Sequence, residues 1–63
     1  MVYVAGVDIG SAFSKAVIIA KEVVSYHITA SGGNYKLVAR EVIRQALTKA
    51  NLSFNDIAYI VAT

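Results

Sequence analysis

The sequence predicts a small α/β fold of order βββαβ: a mixed four-stranded sheet, order 3-2-1-4, with one crossover helix. Three observations predict it. β-branched or alternating stretches fill most of residues 2–30, a continuous helical apolar stripe runs over 35–50, and a last β-branched run occupies 57–62. A helix between two strands of one sheet makes a crossover. Crossovers between parallel strands are right-handed, which sets the fourth strand beside the first and parallel to it.

Residues 2–9, Val-Tyr-Val-Ala-Gly-Val-Asp-Ile, are rich in the side chains that suit a pleated surface and read as the first strand. Gly10 to Ser14 break the pattern with small residues, and 15–20 resume it as a second strand. So short a break makes a hairpin, so the two strands are expected to be antiparallel neighbours. Residues 23–30 alternate, with Val24, Tyr26 and Ile28 on one face and Val23, Ser25, His27 and Thr29 on the other. The turn before them, Lys21-Glu22, has no Gly, Asn or Asp, although two-residue hairpin turns favour residues that accept positive φ. Ser31-Gly32-Gly33-Asn34 is a loop, and Asn34 suits a helix N-cap. Beyond it Tyr35, Val38, Ala39, Val42, Ile43, Ala46, Leu47 and Ala50 form one stripe, with Lys36, Arg40 and Arg44 opposite. The helix should end near Asn51. It would span about 24 Å at 1.5 Å per residue, about the length of a seven-residue strand, so one pass suffices for the crossover. A turn at Ser53-Phe54-Asn55-Asp56 leads into the last strand.

The 63 residues make one domain at most, near the lower limit for independent folding. Chains of this size usually need a staple or a partner. There is no cysteine, which excludes disulfides and thiolate metal sites, and the single histidine argues against a histidine-based one. Yet 57% of the residues are hydrophobic, an excess that implies surface to be covered. The apolar runs are interrupted by Asp8, Lys15, Lys21 and Glu22, so no membrane span is expected, and no secretion signal is visible. The default location is the cytoplasm. A net charge of +2 is too mild to argue for nucleic acid. Because a buried-looking strand runs to Thr63, 1–63 reads as a single partial domain, the first half of a larger one, truncated.

The chemistry concentrates in Asp8-Ile9-Gly10-Ser11-Ala12-Phe13-Ser14-Lys15. A carboxylate ending a core strand, followed by a Gly-led turn, is an arrangement that handles phosphate. Gly10 allows close backbone approach to an anion, and the turn amides through Ala12 and Ser14, with the Ser11 hydroxyl, can donate to phosphate oxygens. Asp8 would face a magnesium ion, directly or through water, and Lys15 would add charge beside the terminal phosphate. A Gly-Ser turn is common in hairpins for structural reasons alone. What tips the reading is Asp8 between Val7 and Ile9, where a charge is costly without a partner.

Val7-Asp8-Ile9-Gly10-Ser11 through Ser14-Lys15 resembles the first phosphate motif of the ATPase superfamily of actin, hexokinase and sugar kinases. The βββαβ order resembles the start of its ribonuclease-H-like domain. Within that superfamily the chain is most similar to the activator ATPases of 2-hydroxyacyl-CoA dehydratases and benzoyl-CoA reductases. That likeness includes Gly33-Asn34 and the closing Ile57-Ala58-Tyr59-Ile60-Val61-Ala62-Thr63, after which family members continue into Gly-Tyr-Gly. The resemblance implies ATP or ADP with magnesium as ligand, a homo-oligomer, and a dehydratase or reductase as partner. It also implies a 4Fe–4S cluster between subunits of the full-length proteins, whose cysteines lie outside this chain. Ala12 departs from the motif, which usually carries Thr or Ser there.

Three alternatives compete for the same residues. Actin-like ATPases of cell division or pilus assembly open with similar motifs, but the short distance from Asp8 to the Ala62-Thr63 strand end suits the activators better. A nuclease of the same fold would need several carboxylates converging on metals, and only Asp8 is well placed. A non-catalytic, self-associating sheet module is the third alternative. His27 reads as solvated or structurally bonded, Lys36-Arg40-Arg44 as a solvated helix face, the tyrosines Tyr3, Tyr26, Tyr35 and Tyr59 as core or rim, and Glu22, Glu41 and Asp56 as surface charges.

Overall fold

The computed structural model describes residues 2–62. Thr63, the end of the closing segment quoted above, lies outside them. Three strands, β1 (Tyr3–Ile9), β2 (Phe13–Ile19) and β3 (Val23–Ala30), precede helix α1 (Tyr35–Lys49), and β4 (Ile57–Ala62) follows it. They form one mixed sheet in the order β3-β2-β1-β4, with β1 antiparallel to β2 and parallel to β4. This is the expected order and sense.

Helix α1 packs over β1, β2 and β3 on one face of the sheet. Ala5 and Val7 from β1, Ala16 and Ile18 from β2, and Val42, Ile43, Ala46 and Leu47 from α1 make the core. The stripe read from the sequence is therefore real at its centre and open at its start, where Tyr35 is 56% exposed. Asn34 caps the helix by accepting from the Leu37 amide. At the other end Asn51 takes a left-handed φ of 58°. The amides of Asn51 and Leu52 then turn back to the carbonyls of Thr48 and Leu47, and Leu52 packs on the core. That is a Schellman stop, with Asn in the place glycine most often fills.

Two expectations are corrected, at the start of β2 and among the tyrosines, while the β2–β3 hairpin forms as expected. Strand β2 starts at Phe13, two residues earlier than the alternation at 15–20 implied. The Gly-less turn at Lys21-Glu22 closes without positive φ. The Ala20 amide bonds the Glu22 carbonyl, and a register shift at Ile18/Ile19 leaves Val24 as an extra residue that takes up the bend. Finally, among the tyrosines only Tyr3 packs on the core; Tyr26, Tyr35 and Tyr59 are more than half exposed.

In β3 the polar face is the one that meets the helix. Ser25 donates to the Ala46 carbonyl at 2.6 Å, and His27 and Thr29 share its side. The apolar alternates Tyr26 and Ile28 point to the sheet's open face, beside Val17 and Lys15. No helix among the described residues is long and apolar enough to cross a membrane.

Candidate functional site

Alternation decides where Asp8 and Lys15 point. Val7 is buried against the helix, so Asp8 points to the open face; Lys15, between the buried Ser14 and Ala16, does the same. The hairpin register sets the two directly opposite one another. With Gly6, Val17 and Val61 they line a shallow cavity of about 200 Å³. Gly6 helps to open it: the position of its missing Cβ is already 3.3 Å from Val17 Cγ2. Directly opposed residues have their Cβ atoms about 5 Å apart. Even so, the ion pair found among the described residues is Arg44–Glu41, on the helix, and Asp8 and Lys15 do not join. Both charges stay free to meet a ligand.

The turn is closed by the Gly10 amide, which donates to the Phe13 carbonyl at 3.0 Å. A Cβ on Gly10 would lie 2.6 Å from that carbonyl oxygen, so glycine is required by close backbone approach and not by positive φ. Ser11 and Ala12 are exposed, and their amides donate to no backbone acceptor among the described residues. Ser14 lies elsewhere: it is 1% exposed, on the helix side, with its hydroxyl 2.6 Å from that of Ser31. The fold thus brings Asp8, Lys15 and the Gly10-Ser11-Ala12 turn to one end of the open face and puts the Ser14 side chain behind it. Ser31 was missed from the sequence, where a serine in Ser-Gly-Gly-Asn carries no signal beyond loop.

The donor set discriminates between the implied groups. No three His, Asp or Glu side chains gather among the described residues to hold a metal. A lone Asp8 fits magnesium that arrives with a nucleotide, because this ion keeps several waters and needs one or two carboxylates besides phosphate oxygens. It does not fit a resident metal. With no cysteine in the chain, an iron–sulfur cluster has no thiolate ligand here. His27 is no substitute, and the expectation that it is solvated or structurally bonded is corrected: it sits half-buried under α1, its Nδ1 enclosed without a partner.

No protein-family model matches the chain, and no curated protein matches it. Among solved structures, it is similar to component A of (R)-2-hydroxyglutaryl-CoA dehydratase from Acidaminococcus fermentans, with a TM-score of 0.85 and 30% identity. The match covers 98% of this chain and 24% of that one, so the chain spans about a quarter of the neighbour's length. The α/β fold expected from the sequence, a ribonuclease-H-like βββαβ segment, stands, and the likeness to a 2-hydroxyacyl-CoA dehydratase component A is one of structure as well as of sequence.

Proposed function

We propose that the chain is the first phosphate-binding segment of an ATPase of the type that activates 2-hydroxyacyl-CoA dehydratases or benzoyl-CoA reductases, taking ATP or ADP with magnesium at the β1–β2 turn. The carrying observation is the meeting of Asp8 and Lys15 on one face, unjoined, beside a turn with unspent amides. In this reading Lys15 and the Ser11 and Ala12 amides neutralise phosphate oxygens. Asp8 accepts hydrogen bonds from the waters that magnesium keeps. The chain is one partial domain of such an ATPase, which works in the cytoplasm as a homo-oligomer with its dehydratase or reductase.

Phosphoryl transfer depends on positioning and on charge stabilisation from several sides. This chain supplies one side, so by itself it is expected to bind weakly and to show no ATP turnover. Titration with Mg-ATP, followed by backbone amide shifts, tests the reading. Shifts confined to residues 10–15, and reduced by Asp8→Ala or Lys15→Ala, support it. Shifts clustered elsewhere, or none at millimolar nucleotide, reject it. A second reading, a non-catalytic self-associating module, draws support from the open face, where Tyr26, Ile28, Tyr59 and Val61 stand about half exposed. The two are compatible, since one face can associate while the turn binds phosphate.

A further inference from the structure

Ser31, the first residue after β3, is bonded to the phosphate turn at three points. Its amide donates to the Ala12 carbonyl at 2.9 Å, its hydroxyl donates to the Gly10 carbonyl at 2.6 Å, and its oxygen lies 2.6 Å from Ser14 Oγ. A serine hydroxyl has one proton to give. That of Ser31 goes to Gly10, so Ser14 must be the donor in the bond between the two serines. The hydroxyls therefore run in one direction, from Ser14 to Ser31 to the Gly10 carbonyl. At 1% exposure, Ser14 has its proton committed on the far side of the sheet from Asp8 and Lys15.

We infer that Ser31 is a positioning residue for the phosphate turn, and that Ser14 serves the turn by orienting Ser31 and not by donating to the ligand. Ser31 holds the carbonyls of Gly10 and Ala12 to itself. Holding the Gly10 carbonyl fixes the Gly10–Ser11 peptide plane and turns the Ser11 amide away from Ser31, uncommitted; holding the Ala12 carbonyl fixes the next plane but one, so the Ser11–Ala12 peptide between them, with its free amide, is held at both ends. The latch also joins two elements. Three residues separate Ser31 from Tyr35, the first residue of α1, and Asn34 among them caps the helix. Anything that shifts the start of α1 pulls on the turn. The ligand half of this inference rests on the phosphate reading above; the latch itself does not.

The test uses the whole chain with Ser31→Ala, Ser31→Thr and Ser14→Ala. Hydrogen exchange of the Gly10 amide, compared with core amides such as Ile18 and Val42, reads the latch without any ligand. Ser31→Ala should speed Gly10 exchange about five- to tenfold relative to the core, the scale of one lost hydrogen bond. Ser31→Thr should restore it, and Ser14→Ala should have the smaller effect, because the bond from Ser31 to Gly10 survives. Adding Ser14→Ala to Ser31→Ala should cost nothing further, since it removes a buried hydroxyl already left without its partner. Gly10 exchange unchanged in Ser31→Ala overturns the latch, and that comparison stands even where threonine does not fit. Mg-ATP is then titrated into the same proteins. Weakening of tenfold or more in Ser31→Ala, restored by threonine, is expected; unchanged affinity overturns the positioning role. A wild-type chain that ignores Mg-ATP rejects the phosphate reading and the role with it, while the exchange result still decides the latch.

Discussion

Two glycines on β1 and its turn look alike in the sequence and should behave oppositely. Gly10→Ala sets a Cβ 2.6 Å from a backbone oxygen, an atom that cannot swing aside. The hairpin must open, at a cost of about 1–3 kcal/mol, the range of other overpacked sites. Gly6→Ala meets only the tip of the Val17 side chain at 3.3 Å, and alanine removes the entropy that glycine loses on folding. Urea denaturation should show Gly6→Ala within about 0.5 kcal/mol of wild type or above it; equal stability for both variants would contradict this account. The sequence marked Gly10 as special but for another reason, the approach of an anion. The Phe13 carbonyl that actually crowds it becomes visible only when the turn is folded. Ser14 was misplaced by a boundary: with β2 read from Lys15, it looked like part of the loop. Two more residues of strand put it in step with Ala16 and Ile18, facing the helix.

The helix carries two signals that differ in legibility. Its stop was readable, because Asn is the commonest residue after glycine to accept a left-handed conformation. Asn51→Gly should match or exceed wild-type stability in thermal melts, whereas Asn51→Val should cost about 1–2 kcal/mol, the penalty for that conformation with a branched Cβ. Its ion pair was not readable, since Glu41 looked like any surface charge. Arg44 donates to the Glu41 carboxylate, and with a second bond from Gln45 lowers its pKa from 4.5 to about 2. A depressed folded pKa means that the contribution is fully present above pH 4.5 and is lost as pH falls through about 2. The pair is solvent-exposed, so the effect is small. Glu41→Gln should lower the melting temperature slightly at pH 7 and less at pH 2, where the carboxylate is about half protonated; an equal loss at both would mean that the carboxylate charge adds nothing. Strand β3 was the opposite case. Its alternation was plain, but a period of two says only that two faces exist and not which one the helix takes. The helix took the polar one, where Ser25 could bond to the Ala46 carbonyl.

At the scale of the molecule, that choice enlarges the uncovered surface. The hydrophobic excess of the sequence implied surface to be covered, and the first, second and fourth strands supply part of it on the sheet's open face. With Tyr26 and Ile28 turned outward, the third joins them. Strand β4 adds Tyr59 and Val61 to this face and is exposed along nearly its whole length. Soluble monomers seldom expose contiguous apolar patches beyond a few hundred Å². A standard interface takes about 800 Å² from each partner. Against a total surface of 4275 Å², that is about one broad face of this chain. A second copy laid face to face meets that requirement, since two sheets pack about 10 Å apart with their side chains interleaved. We therefore expect this chain to associate with itself through the open face at micromolar concentration. Sedimentation equilibrium should give a mass above the 6.7 kDa of one chain, and Ile28→Lys should return it to that value while leaving α1 and its core intact. A wild-type monomer with core amides fully protected would refute the association, and an oligomer that survives Ile28→Lys would move it from the face to the outer edge of β4, where unpaired backbone groups offer the other route.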